Sequence, residues 1–258
     1  MLSGDPTPLM KQVVANWVAS LTNFCLTKLR NGVDLHLTRE EIRFSRISFS
    51  QFGEEEAVQR WMGKLCNIPT IYVDVGCFHP IHCSNTLLLY KAGWRGVNVD
   101  MSSDRIALFR VLRPADYNVS AAVSSSEQDL KEFRYEGGLT DRLGKIGDSE
   151  LPSVLGEKPT SSHPIRTRTL NNLLGEAPWP IDTIGYLNVD CEGHDLEVIK
   201  GLDLARYRPA ILTIEAYEPN ERAETIEYLA SHGYEHKETL FRTLVFVRGE
   251  LISRALRG

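Results

Sequence analysis

Apolar residues along this chain fall into two patterns, and their alternation predicts an α/β fold. Short runs rich in β-branched residues indicate buried strands, whereas apolar residues that recur every three or four positions indicate helices. The strands expected from the runs are Ile71–Val75, Gly96–Asp100, Tyr117–Val123, Asp182–Asp190 and Ala210–Ala216. The helices expected between and after them are Ser84–Ala92, Ser103–Leu112, Leu196–Lys200 and Arg222–His232. This order predicts a mostly parallel, doubly wound sheet that binds a ligand at the carboxyl ends of its strands.

The ends of the chain add further elements. Apolar positions at helical spacing predict an amphipathic helix over Leu9–Leu29 and a second helix over Glu54–Leu65. Near the other end, Glu235–Thr239 and Thr243–Arg248 predict a terminal pair of strands. We therefore expect a helical extension over residues 1–66 and one α/β domain over residues 67–258. The first helix is consistent with a homodimer and equally with a helix that covers the core.

One internal region interrupts the alternation. Ser124–Arg168 is rich in glycine, proline, serine and charged residues, and it predicts a short strand around Glu132–Tyr135 followed by a long irregular loop. Loops of this length in compact domains often act as lids over a functional site. Its arginines, Arg142 among them, either close over an acidic ligand or lie in solvent, and we favour solvent.

Composition and charge exclude several classes of protein. The 258 residues are 42% hydrophobic and 24% charged, which is ordinary for a globular protein with a large core. The net charge of −5, without a long basic run, does not favour nucleic acid as a partner. No run of 18 apolar residues predicts a membrane span. Five cysteines without a Cys-x-x-Cys pair favour reduced thiols and a cytoplasmic location over a disulfide framework or a zinc site.

Two acids mark the ends of the first two predicted strands. Ile71–Val75 runs into Asp74-x-Gly76, and Asp100 ends the next strand 26 residues after Asp74. This separation is near the ~20 residues between a nucleotide-binding turn and the acid that holds a ribose. Carboxylates at the ends of adjacent parallel strands suit a ligand with an adenosine ribose and a charged tail. We predict that Asp100 accepts hydrogen bonds from both ribose hydroxyls, and that Asp74 holds the tail or caps the next loop.

Four motifs in fixed order extend this picture. They are Gln51-Phe52-Gly53-Glu54-Glu55, Asp74–Pro80, Ser84–Asp100 and Leu187–Gly201. Together they resemble the FkbM family of S-adenosylmethionine-dependent O-methyltransferases. The resemblance implies a class I methyltransferase (Rossmann-like) fold, with a seven-stranded mostly parallel sheet and an antiparallel C-terminal strand. It also implies S-adenosyl-L-methionine as cofactor and, as acceptor, a small molecule with a hydroxyl on a sugar or other natural-product scaffold.

The resemblance places one set of residues at the cofactor. Gly76 allows a tight turn and a close approach, although the glycine-rich loop typical of class I enzymes is otherwise missing, as it is in FkbM-like proteins. Ser84 or Asn85 suits both a helix N-cap and the binding of the methionine tail. Small strand residues near the end of the third strand leave room for adenine. The predicted cofactor residues are Asp74, Gly76, Ser84, Asn85, Asp100, Met101 and Ala122.

A second set follows the later strands and suits the acceptor. An alcohol that accepts a methyl group must lose a proton, and a nearby carboxylate or histidine can take it. Asp190 is best placed at its strand end, Glu192 acts as base or holds the sugar, and His194 is the alternative base. Glu192 and His194 also suit capping of the next helix. We predict that His79 and Glu215 contact the substrate.

Three alternatives stay open at this point. Glu215 and Asp190 supply hard oxygen ligands for a divalent metal, but their spacing does not define a metal site. An NAD-dependent sugar oxidoreductase has the same kind of sheet, although Gly-x-Gly-x-x-Gly and a Tyr-x-x-x-Lys pair beside a serine are missing. A non-catalytic module that binds the cofactor without methyl transfer is also compatible with the sequence.

Overall fold

The protein is represented by a computed structural model that describes residues 27–28, 34–35, 47–135, 141–144 and 159–255. The chain divides into two compact units, Met1–Ile47 and Ser48–Gly258. In the first unit, strand β1 (Thr27–Lys28) pairs antiparallel with strand β2 (Asp34–Leu35). The helix predicted over Leu9–Leu29 lies outside the described residues, except that Thr27–Lys28 is a strand and not the end of a helix.

The second unit alternates strands and helices. Its described strands are β3 (Ile71–Val75), β4 (Arg95–Asp100), β5 (Tyr117–Ser120), β6 (Ala122–Val123), β7 (Asp129–Tyr135), β8 (Asp141–Gly144), β9 (Pro159–Arg168), β10 (Tyr186–Val189), β11 (Ile211–Glu215), β12 (Tyr234–Leu240) and β13 (Thr243–Arg248). Its described helices are α1 (Glu54–Met62), α2 (Leu87–Lys91), α3 (Ser103–Leu112), α4 (Leu170–Gly175), α5 (Asp195–Lys200), α6 (Leu204–Tyr207), α7 (Pro219–Ser231) and α8 (Gly249–Ala255).

Seven of these strands form the central sheet, in the order β12-β13-β11-β10-β3-β4-β5. The five strands from β11 to β5 are parallel to one another, whereas β13 is antiparallel to both β11 and β12. This confirms the predicted α/β class, the mostly parallel Rossmann-like sheet and the antiparallel strand pair near the C-terminus. The carboxyl ends of β3, β4, β10 and β11 meet at one edge.

Both faces of the sheet are buried, since most residues of the core strands are apolar and apolar clusters cover both sides. On one face, Val73, Val97 and Leu187 pack in a large cluster with Leu170 and Leu173 of α4. The other face packs against α1. Ala57 and Val58 of this helix lie in a cluster with five residues of the sheet: Tyr72, Tyr186, Ile211, Val245 and Val247. The sheet is therefore a rigid base for whatever lies at its edge.

A row of buried polar residues crosses the face that carries Tyr72. Neighbouring strands align these residues side by side, from β11 to β5: Thr213, Asn188, Asp74, Asn98 and Asn118. Asn188 donates to Asp74 over 2.9 Å and Thr213 donates to Asn188 over 2.8 Å. Asn98 donates to Asn118 over 2.8 Å. The hydrogen bonds offset the cost of burying these polar groups.

The strand predicted around Glu132–Tyr135 is confirmed as part of β7, but the prediction of an irregular loop after it was wrong where the structure describes β8 and β9. Strands β6 to β9 form a four-stranded sheet in the order β6-β9-β7-β8. The run predicted as one strand over Tyr117–Val123 splits, because β5 joins the central sheet and β6 joins the second one. Strand β9 was not predicted, because it is mostly exposed and contains Pro159 and Pro164, and proline is unusual inside strands.

Within the part of the chain that the structure describes, none of the helices has the length and hydrophobicity that crossing a bilayer requires.

Candidate active site

A cavity of about 750 Å³ opens where the parallel strands of the central sheet end. This volume lies within the ~300–1,000 Å³ typical of small-molecule sites. Its walls come from the ends of β3, β4, β10 and β11, from strand β8 and from the turn between β12 and β13. The predicted site residues among those that line it are Asp74, Gly76, Asn85, Asp100, Met101, Asp190, Glu192 and Glu215.

Asp100 ends strand β4 and is held rigidly at one end of the cavity. Its carboxylate accepts hydrogen bonds from the backbone of Ser102 over 2.8 Å and of Phe78 over 3.0 Å. Arg105 lies 3.5 Å from the same group and packs on the Phe78 ring. Burial raises the pKa of Asp100, and the charge of Arg105 lowers it. The result is a fixed acceptor of the kind that binds a pair of hydroxyls.

Gly76 makes the sharp turn at the end of β3 possible, and it lies against the backbone of Asp190. Its φ angle is +75°, and a Cβ atom there would lie 1.7 Å from the carbonyl oxygen of Asp190. Only glycine combines this backbone conformation with such a close approach. The backbone N–H groups of Gly76 and Cys77 both donate to Val99. The first amides of this loop are therefore used within the protein, unlike those of a glycine-rich phosphate loop.

Asp74 forms the polar floor of the cavity. One carboxylate oxygen accepts from Thr86 over 2.6 Å and the other from Asn188. Burial raises the pKa of Asp74, and these two hydrogen bonds lower it. The buried guanidinium of Arg113 donates to Thr86 and to Ser84, so a positive charge lies behind the carboxylate. Asp74 is thus tied into the protein by both oxygens while it lines the cavity.

Asn85 presents an unused acceptor to the cavity. Its amide nitrogen donates to Asn188 over 3.1 Å, but its buried Oδ1 atom has no hydrogen-bond partner among the described residues. A buried polar atom without a partner costs free energy unless a ligand or water satisfies it. This oxygen is suited to a cationic or N–H group of a ligand.

Asp190 and Glu215 form a carboxyl pair at the ends of β10 and β11. They are hydrogen-bonded to each other, so at least one of them carries a proton. Burial, followed by the neighbouring Glu215, raises the pKa of Asp190 well above its ordinary value. Burial also raises the pKa of Glu215, but the hydrogen bond with Asp190 lowers it. Two negative charges are disfavoured at such a buried pair, so the two carboxyl groups share a proton and carry a single negative charge.

Glu192 faces the same part of the cavity from the turn after β10. Its φ of +53° places it in the left-handed region, which non-glycine residues adopt at a cost of about 1 kcal/mol. Its carboxylate accepts a short hydrogen bond from Tyr217 and lies 3.5 Å from Arg142. Arg142 is mostly buried in β8, so the favoured interpretation of a solvated loop arginine was wrong.

The remaining predicted residues are not among those that line the cavity. Ser84 is buried against Arg113, and Thr86 rather than Ser84 or Asn85 is the N-cap residue of α2. Ala122 belongs to β6 of the second sheet. Nδ1 of His79 accepts from the backbone of Ile81 and of His82. His194 binds Ser124 over 2.9 Å and lines a separate cavity of about 210 Å³.

Sequence reasoning missed several residues that line the cavity, among them Phe52, Tyr217, Phe241 and Arg242. Tyr217 follows Glu215 by two residues and could have been found from its position at a strand end. Phe241 and Arg242 lie in the β12–β13 turn, and nothing in their sequence pattern indicates that they reach this cavity.

A metal centre finds no support in the residues that the structure describes. They contain no group of three or more histidine, cysteine, aspartate or glutamate side chains arranged to hold a metal ion.

Comparison with known proteins adds a family. Residues 74–236 match the family described as the methyltransferase FkbM domain. Among solved structures, a similar chain is precorrin-6y C5,15-methyltransferase from Geobacter metallireducens GS-15, with 12% identity and a TM-score of 0.37. That similarity covers 74% of this chain and 86% of the other, but at this TM-score the fold assignment depends on the strand order given above. No curated protein sequence matches the chain.

Proposed function

Because this chain belongs to the FkbM methyltransferase family, whose domain spans residues 74–236, we propose that it transfers a methyl group to a hydroxyl. The methyl donor is S-adenosyl-L-methionine, and the acceptor is a sugar or another natural-product scaffold. The observation that carries the choice of a hydroxyl is the carboxyl pair of Asp190 and Glu215 in the cavity, since an alcohol needs a base to take its proton.

The cavity suits a positively charged cofactor. Eight acids line it against three arginines: Asp74, Asp100, Asp141, Asp190, Glu192, Glu215, Glu218 and Glu221 against Arg105, Arg142 and Arg242. When bound, S-adenosylmethionine supplies a methyl group on a positively charged sulfur, which an acidic cavity favours. Asp100 would accept from the ribose hydroxyls, and the free Oδ1 of Asn85 would accept from the ammonium group of the tail. Met101 would pack beside the adenine.

Glu215 is the proposed base. Its carboxylate lies at the end of β11 and lines the cavity, and in this proposal it carries the negative charge of the pair. The acceptor hydroxyl would give its proton to the Glu215 carboxylate as its oxygen bonds to the methyl carbon, and the carbon–sulfur bond of the donor would break to leave S-adenosylhomocysteine. Asp190 positions Glu215 by donating to it and keeps the pair at a single negative charge. Much of the rate gain in such a reaction comes from alignment of the two substrates, which the rigid strand ends favour.

Experiment can distinguish methyl transfer from two other functions, an NAD-dependent oxidoreductase and a binding module without turnover. Membership of a methyltransferase family favours methyl transfer over an NAD-dependent oxidoreductase. A binding module without turnover would keep the Asp100 end of the cavity and would not depend on Glu215.

The decisive experiment is calorimetric titration with S-adenosylmethionine, S-adenosylhomocysteine and NAD. We expect micromolar binding of both adenosyl ligands, no binding of NAD, and a loss of at least about tenfold in affinity in Asp100→Ala, because a charge-assisted pair of hydrogen bonds is removed. Asp129→Ala is the matched control, since Asp129 is exposed on the second sheet. Failure of the wild-type protein to bind either adenosyl ligand would overturn the proposal.

A further inference from the structure

The Gln51–Glu55 motif has no part in the chemistry described so far, yet it brings an aromatic ring to the cavity. Phe52 is 42% exposed and Phe241 is 61% exposed, and they are two of the four large hydrophobic residues that are exposed in the described chain. Their ring centroids lie 4.6 Å apart. Burying such rings against each other and away from water is the usual outcome, so an exposed pair marks a place for a partner.

This aromatic pair, Phe52 and Phe241, lies in the same cavity as the carboxyl pair. Both rings line the same cavity as Asp190 and Glu215. Asp100 ends β4, three strands away from β11, whereas Thr243 at the start of β13 pairs with Glu215 of β11. The aromatic pair therefore lies on the Glu215 side of the cavity, where the acceptor is expected. A molecule seated on the rings would have access to the proposed base without crossing the cofactor end.

The protein holds the aromatic pair in place through a buried carboxylate. Glu54 is only 3% exposed, and it accepts from the backbone N–H of Phe52 over 2.9 Å. Its other oxygen accepts from the hydroxyl of Thr243 over 3.3 Å, which ties the motif to the start of β13 beside Phe241. Phe241 itself has a φ of +56°, a conformation that bulky side chains rarely adopt. Backbone strain of this kind is often found at functional sites.

Polar groups lie beside the rings. The guanidinium of Arg242 packs on Phe241 at 5.1 Å and on Tyr217 at 4.4 Å. Its guanidinium N–H groups are hydrogen-bond donors, and a ligand's oxygens can accept from them. The planes of the two phenylalanine rings are tilted by 42° to each other, so the surface combines an angled apolar area with hydrogen-bond donors beside it.

We propose that Phe52 and Phe241 form the platform that selects the acceptor, a hydroxylated saturated ring such as a pyranose. The apolar C–H face of the ring stacks on the aromatic pair, Arg242 donates to oxygens at its edge, and one hydroxyl reaches Glu215. This inference deepens the proposed function, because it assigns the acceptor's position in the same cavity. It makes Phe52 and Phe241 specificity-determining residues and Glu54 a positioning residue.

The test combines ring binding with turnover. Saturation-transfer NMR with a panel of methyl hexopyranosides, on protein loaded with S-adenosylhomocysteine, measures ring binding without any reaction. The same glycosides are then assayed for methylation with S-adenosylmethionine. We expect Phe52→Ala and Phe241→Ala to weaken ring binding and to raise KM for the acceptor about tenfold, with little change in kcat.

Three controls separate a platform from a structural role. Affinity for S-adenosylmethionine and the thermal midpoint should stay near the wild-type values in both variants. Phe52→Tyr keeps the ring and should behave like the wild-type protein. Val111→Ala removes an exposed apolar side chain of α3 outside the cavity and should change nothing.

The outcomes for the two proposals are distinct. Ring binding that depends on Phe52 and Phe241, without methylation of any glycoside, would support the platform and contradict the proposed O-methyl transfer. Methylation with the same acceptor KM in the alanine variants would support the enzyme and overturn the platform. Absence of saturation transfer to every glycoside in the wild-type protein would also overturn the platform.

Discussion

Asp190 and Glu215 share a hydrogen bond, but we expect them to have different roles in catalysis. Glu215→Gln should lower kcat by about 10²–10⁴, because the base is lost. Asp190→Asn should cost less, since an amide still donates to Glu215. A larger loss in Asp190→Asn than in Glu215→Gln would assign the base to Asp190 instead.

The pH dependence of kcat/KM follows from the same pair. Burial raises the pKa of Glu215, and only its deprotonated form can take a proton. Activity is therefore expected to rise with pH, with its midpoint above the ~4.3 of an exposed glutamate. A pH–rate profile of the wild-type enzyme measures this midpoint, and an acid limb at or below the ordinary glutamate value would contradict it.

Gly76 and Gly93 provide a matched pair for testing a close approach. Both have positive φ angles, +75° and +92°, but a Cβ atom at Gly93 would meet nothing within 4 Å. Gly93→Ala should therefore cost about 1 kcal/mol in unfolding free energy, for the backbone conformation alone. Gly76→Ala should cost about 3 kcal/mol or more, because the backbone of Asp190 must move. Chemical denaturation measures both, and equal losses would refute the explanation.

At the scale of elements, helix α1 belongs to the core of the second unit. The helix predicted over Glu54–Leu65 is confirmed over Glu54–Met62, and its acidic first turn of Glu54, Glu55 and Glu56 suits the positive end of a helix. Its Ala57 and Val58 are fully buried against the central sheet. The predicted division after residue 66 stays a prediction, but it would separate this helix from the face that it covers.

Truncation tests that division. A chain of residues 48–258 should unfold cooperatively and bind S-adenosylmethionine, because it keeps α1. A chain of residues 67–258 should be unstable or aggregate, since it exposes the apolar face around Tyr72 and Val245. Thermal denaturation and calorimetry compare the two. A stable shorter chain with full cofactor affinity would show that α1 is dispensable.

Elements with regular apolar patterns were predictable, and elements shaped by tertiary contacts were not. The core strands β3 and β4 contain short runs rich in β-branched residues, so their positions followed from the sequence. Strand β9 is stabilised by its pairing with β7 and has no apolar pattern of its own. The same distinction holds in the site, where Asp100 and Asp190 follow strand ends, whereas Phe241 reaches the cavity only through the pairing of β12 with β13.

At the scale of the whole molecule, a formal net charge of −5 is concentrated in part at the cavity. Acids outnumber arginines there, so the field of the protein attracts cations to the edge of the sheet. Duplex nucleic acid, which is a polyanion, would meet repulsion at this edge.

The row of buried polar residues across the sheet affects which strand register forms during folding. Strands that are apolar on both faces bury about the same surface in neighbouring registers, so hydrophobicity alone discriminates poorly between them. A slip of one residue would move Asp74 or Asn188 to the opposite face, away from Thr86 and Thr213. Each misaligned pairing would leave charged or amide groups buried without partners. The five residues that look costly in the core thus exclude the wrong registers, and they bring Asp74, Asp100 and Asp190 to the same edge.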